Sequence, residues 1–105
     1  MQLKRVVVTG LGAVTPIGNS VQEYWSNLTA GKSGAALIEQ YDASLFKTHF
    51  ACEVKNFNIE QFIDRKEARK LDQFTQYALV SSTEAVEHSK ILDAKPNLDR
   101  IGVVW

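Results

Sequence analysis

The ten residues from Phe74 to Thr83, FTQYALVSST, carry no charge. Read as helix, they place Phe74, Ala78, Ser82 and Ala85 on one face and Thr75, Leu79 and Val86 on another. A helix on the surface of a globular domain shows one apolar stripe and a charged opposite side. This stretch is apolar or small nearly all round, which predicts burial on several sides. Its small residues would also let a neighbouring backbone approach closely. A single layer of helices in a 105-residue domain offers no such environment. The last residues agree: IGVVW, Ile101 to Trp105, is an apolar strand sequence without cap, turn or polar tail, whereas termini usually lie at the surface. Both features lead to the expectation that these residues are the beginning of a larger protein.

Other elements follow from local pattern. Val6–Val8 lacks the alternation of a half-exposed strand and reads as the centre of a buried one. It runs into Gly10 and Gly12, the first two positions of a dinucleotide-binding turn. The third falls on Thr15, and Pro16 follows, which keeps Thr15 out of a helix. The helix begins later, where Ser20 and Glu23 have the spacing of a capping box. A phosphate at Gly10–Gly12 would therefore have no helix N-terminus beside it, and the nucleotide motif fails. A helix is expected from Val21 to about Ala30, with Trp25 and Leu28 on one face and Gly31 just past its end. "KSGAA" reads as a turn and "HFACEVKNF" as a strand. A long helical region runs from about Asp64 to Lys90, broken near Asp72. "ILDAKPNLD" is a loop, and "RIGVVW" a further strand. Strands alternating with helices predict an α/β fold with at least some parallel pairing.

Composition narrows the function. Twelve basic and twelve acidic residues cancel, so overall charge gives no support for nucleic-acid or anionic-membrane binding. One cysteine forbids an internal disulfide and suits a reducing compartment. No apolar segment is long enough for a bilayer, and the valine run after "MQLKR" is too short for a signal peptide. A cytoplasmic location is the expectation. Within this neutral balance, "DRKEARKLD" concentrates Arg65, Lys66, Arg69 and Lys70. Lys66 and Lys70 would be i, i+4 neighbours on a helix, where like charges repel slightly. The cluster is either a solvated face with local ion pairs or a docking patch for an acidic partner. Cys52 lies in a strand sequence beside Glu53, with no helix start after it, and His49 falls on the opposite face. A buried structural thiol is the expectation there, and His88 reads as a surface residue.

The segments "KRVVVTGLGAVTPIGNSVQEYWSNLTAGKSG" and "RKEARKLDQFTQYALVSSTEA" resemble the N-terminal portion of the beta-ketoacyl-[acyl-carrier-protein] synthase II family, condensing enzymes of bacterial fatty-acid synthesis. The resemblance covers essentially residues 1–105. It implies the N-terminal part of a thiolase-like fold, layered helix, sheet, helix, sheet, helix in the complete enzyme, with the uncharged helix near the middle layer. Gly10 and Gly12 would then be turn residues of the first core strand. It also implies chain elongation by decarboxylative Claisen condensation, in a homodimer without cofactor or metal. The family's catalytic cysteine and two histidines belong to motifs absent from these residues. Neither Cys52 nor the histidines match them, so no catalytic residue is assigned and the chain alone is expected to be inactive. The resemblance further implies that Lys66, Arg69 and Lys70, with Arg65 beside them, face the acidic acyl carrier protein. Two alternatives are a non-catalytic partner of the same fold, of the chain-length-factor type, and an independent carrier-protein-docking module.

Overall fold

The computed structural model describes all 105 residues, Met1 to Trp105. Helix α1 spans Val21–Thr29. Ser20 starts it in an extended conformation, its hydroxyl accepting from the Glu23 amide at 3.2 Å. The Glu23 carboxylate accepts from the Asn19 amide at 2.8 Å, one residue earlier than a capping box requires. Gly31, just beyond the Ala30 cap, has φ 72°, a conformation glycine adopts without the steric penalty of a Cβ.

Strands β1 (Ala36–Leu37) and β2 (Phe50–Ala51) pair antiparallel, Ala36 opposite Ala51 and Leu37 opposite Phe50. The parallel pairing expected from the sequence is not formed. Parallel strands need a crossover between two strand partners, and the two apolar runs that could supply them, at Val6–Val8 and Ile101–Trp105, enter no ladder. Both runs stand exposed, Val6 at 87% and Val103 at 86%. An apolar run becomes a strand only beside a neighbour's amides and carbonyls, and no segment among these residues offers them.

Helices α2 (Arg65–Ala68) and α3 (Gln73–Ser89) divide the long helical region where expected. Asp72 makes the break because its carboxylate caps α3, accepting from the Thr75 amide at 3.0 Å. Gln76 reaches back from α3 and donates to the Ala68 and Leu71 carbonyls at 3.1 and 3.3 Å. These bonds tie the end of α2 and the turn after it to α3. The Phe57 and Tyr77 rings meet edge to face, centroids 4.8 Å apart, and tie the segment after β2 to the same helix.

These residues cover little of the uncharged part of α3: only Val80 is buried, and Phe74 is 65% exposed. The helix absorbs its own hydroxyls, since Ser81 and Thr83 donate to the Tyr77 and Leu79 carbonyls, each at 2.8 Å. A neighbouring backbone does approach it closely. The Gly10–Gly12 segment crosses α3 so tightly that a Cβ on Gly12 would collide with the Ser81 carbonyl oxygen, and one on Gly10 with that of Ala85. The two glycines are thus contact residues of a crossing. Across the chain only Gly18, Ala43, Ala68 and Val80 are buried, so most of its apolar side chains are not covered by its own residues.

Candidate functional site

The four basic residues of the cluster lie on and just after α2. Asp64 begins this helix, its carboxylate accepting from the Lys66 amide at 3.0 Å. Ala68, 5% exposed, is the buried side of the turn. With Gln76 holding its far end, α2 presents its charges from a fixed base. The helix ends at Ala68, so Lys70 lies beyond it and is not an i, i+4 helical neighbour of Lys66.

Local pairing treats the four charges differently. Arg65 Nε lies 3.4 Å from Glu60 Oε1, and Lys70 Nζ donates to Glu67 Oε1 at 2.8 Å. The remaining local carboxylates, Asp64 and Asp72, accept backbone amides as caps. Lys66 and Arg69 are exposed and have no ion pair. Three positions apart, they form an uncompensated basic couple, while Arg65 and Lys70 carry counter-ions that an acidic partner would have to displace. Such exposed pairs contribute little to stability.

The other candidates separate from this surface. Gly10 and Gly12 face carbonyl oxygens of α3, which repel phosphate, and α1 begins only at Val21. Cys52 is exposed, not the buried thiol expected from its type, because β2 ends at Ala51 and nothing is packed over the residue after it. His88 is exposed, as expected, yet engaged: its Nδ1 accepts from the Leu11 amide at 3.2 Å. A polar cavity of about 230 Å³ lies between Pro16–Gly18 and Lys55. Its Lys55 ammonium is committed to the Gly34 and Glu53 carbonyls at 2.7 and 3.0 Å, leaving little for an anionic ligand.

Two residues of consequence had drawn no notice in the sequence. Glu84 accepts from the Ala13 amide with one carboxylate oxygen and from the Val21 amide with the other, at 2.9 and 2.8 Å. The signal was its position as the first charge after ten uncharged residues. Lys55 had no such signal, since its carbonyl partners come from three separate loops.

Comparison with known proteins bears on the same residues. The family model for the beta-ketoacyl synthase N-terminal domain matches residues 3–105. The 3-oxoacyl-[acyl-carrier-protein] synthase 2 of a Synechocystis strain is 46% identical over 104 residues, 99% of this chain and 25% of that protein. The proteins of the same name from Staphylococcus aureus strain COL and from another strain of that species are 49% and 52% identical, each over 97% of this chain and 25% of their own length. The chain therefore spans about a quarter of the length of the curated relatives it matches. Among solved structures, the ishigamide ketosynthase/chain length factor superposes with a TM-score of 0.72 at 32% identity, covering 91% of this chain and 23% of that one.

Proposed function

The chain belongs to the beta-ketoacyl synthase family through its N-terminal domain, and we propose that the full-length protein elongates fatty acyl chains on acyl carrier protein. The reading rests on 46–52% identity, along almost the whole chain, to synthases named for that substrate. In the proposed reaction an acyl group is held as a thioester on an active-site cysteine outside these residues. Malonyl-carrier protein loses carbon dioxide, and the electron pair of the broken bond becomes a carbanion. That carbanion attacks the acyl thioester carbon, a carbon–carbon bond forms, and the cysteine leaves as thiolate. Cys52, exposed and without a partner base, takes no part.

In this reading residues 1–105 are the N-terminal part of the first half of a layered thiolase-like fold in a homodimer, and the remaining layers cover the exposed faces of α3, Val6–Val8 and Val103–Trp105. Their direct role is docking. Lys66 and Arg69 meet acidic groups of the carrier protein, flanked by Arg65 and Lys70, and basic residues arranged in this way steer encounter and fix register. The absence of counter-ions at Lys66 and Arg69 supports that role. The test is Lys66→Glu with Arg69→Glu in the full-length protein, measuring carrier-protein affinity at two ionic strengths. We expect affinity to fall about tenfold or more at low salt and by less at high salt. Unchanged affinity at low salt refutes the docking role.

A second reading, a non-catalytic ketosynthase-like partner, draws support from the likeness to a ketosynthase/chain length factor. Condensation assays on the full-length protein separate the two, since a chain-length-factor-like protein makes no product without a catalytic partner.

A further inference from the structure

We propose that α3 grips the glycine-rich segment with two side-chain acceptors one helical turn apart, and that His88 makes this grip sensitive to pH. The Leu11 amide donates to His88 Nδ1 at 3.2 Å, and the Ala13 amide to Glu84 Oε2 at 2.9 Å. Amides two residues apart on an extended chain face the same side and are separated by about 6.6 Å. Side chains at positions 84 and 88 of a helix lie on one face, about 6 Å apart along its axis. The two spacings match, so α3 supplies the acceptors that a neighbouring strand would. Gly10 and Gly12 let the backbone come near enough to reach them, because any Cβ there would strike carbonyl oxygens of the helix. The second oxygen of Glu84 holds the Val21 amide at 2.8 Å, which couples the grip to the start of α1.

The two acceptors respond differently to acid. An imidazole that accepts through Nδ1 carries its proton on Nε2. Protonating the ring places a second N–H at Nδ1, where it faces the Leu11 amide donor to donor. The contact therefore exists with neutral imidazole and is lost on acidification. Imidazole side chains as a class change charge between about pH 5 and pH 8, whereas carboxylates remain acceptors across that range. On its own helix His88 has Glu84 one turn before it and Glu87 and Lys90 alongside. The opposing segment from Val6 to Thr15 has no ionisable side chain, and in the first turn of α1 Glu23 is turned to the Asn19 amide. Protonation of the His88 ring thus releases the segment at Leu11 while Ala13 stays attached, and Gly12 between them serves as the pivot.

Amide-resolved hydrogen exchange at Leu11 and Ala13 in the full-length protein tests this, with each rate divided by the intrinsic rate at its pH. On moving from about pH 7.5 to about pH 5, Leu11 protection should fall roughly three- to tenfold, the worth of one net hydrogen bond. Ala13 protection should hold. His88→Asn offers a short acceptor that does not titrate, and it should keep Leu11 protected at both values. Equal Leu11 protection at both pH values in the unmodified protein overturns the proposal, as does an acid-induced loss that persists in His88→Asn. A nitrogen-15 spectrum of the unmodified protein gives an independent check: a proton on Nδ1 of the neutral ring overturns it, and a proton on Nε2 supports it.

Discussion

Replacing Gly12 by alanine probes the crossing of the N-terminal segment over α3. The new Cβ would meet the Ser81 carbonyl oxygen, with the Ser81 carbonyl carbon at 2.7 Å and the Ala85 nitrogen at 3.0 Å. All three atoms are backbone, so no side-chain rotation relieves the clash. Segment and helix must separate by roughly 1 Å or more, which carries the Ala13–Glu84 bond from 2.9 Å beyond useful length. Overpacking of this kind costs about 1–3 kcal/mol, and a hydrogen bond to a charged group is worth about 1.5–3 kcal/mol. Gly12→Ala should therefore destabilise by about 3 kcal/mol or more. Gly31→Ala is the reference, with φ 72° and nothing within 4 Å; it adds only the left-handed backbone penalty of about 1–2 kcal/mol. Denaturant unfolding of the full-length protein gives both values from the shift in midpoint. Glu84→Ala in the Gly12→Ala background should cost less than on its own, because the Ala13 contact is already broken and only the Val21 contact is left to lose. If Gly12→Ala costs no more than Gly31→Ala, the close crossing is wrong.

Single substitutions at the basic cluster should rank by local pairing. Lys66→Ala and Arg69→Ala should weaken carrier-protein binding more than Lys70→Ala, whose ammonium is already matched by Glu67, and the reverse order in a titration would contradict the assignment. Ser20→Ala removes the α1 cap and should lower stability by about 1 kcal/mol in denaturant unfolding, with recovery in Ser20→Asp. Burial first, and then the Glu53 carboxylate, raise the Tyr77 phenol above its ordinary value. The stability carried by the neutral phenol is full below about pH 10 and is lost as pH rises through the higher folded value. Glu53→Gln removes only the second cause, so ultraviolet titration should show Tyr77 ionising at lower pH yet still above its ordinary value; no movement would exclude Glu53 as a cause.

The helices were legible because their determinants are local. Ser20, Asp64 and Asp72 each cap the turn that follows them, through hydrogen bonds spanning two or three residues. A reader of the sequence sees both partners at once. The same holds for the charge cluster, whose residues are adjacent along the chain. Which of the four charges are free was not legible, since Arg65 finds its partner five residues back, in the 3₁₀ turn Ile59–Gln61. Glu84 escaped notice for a stronger reason. Its partners lie 71 and 63 residues away, and its one local mark, the first charge after ten uncharged residues, does not tell which amides it holds.

The strands were legible only as a need. Val6–Val8 and Ile101–Trp105 have the composition of buried strands, yet composition states only that a segment needs covering and pairing. Whether a ladder forms depends on a second segment, and the only strands that pair here, β1 and β2, are two residues each. The glycines show how the chain meets part of that need without a strand. Amides at Leu11 and Ala13 that a sheet neighbour would satisfy are taken by His88 and Glu84, and the absence of a Cβ at Gly10 and Gly12 makes the substitution geometrically feasible. A valine run followed by Gly-x-Gly therefore has two physical solutions, a phosphate above a helix N-terminus or a helix carrying its own acceptors. Pro16 disfavours the first in sequence, and the uncharged, small-residue surface of α3 is what the second requires. Backbone acceptors do nothing for the apolar side chains of Val6–Val8, which these residues leave exposed and which in the proposed reading the remaining layers cover.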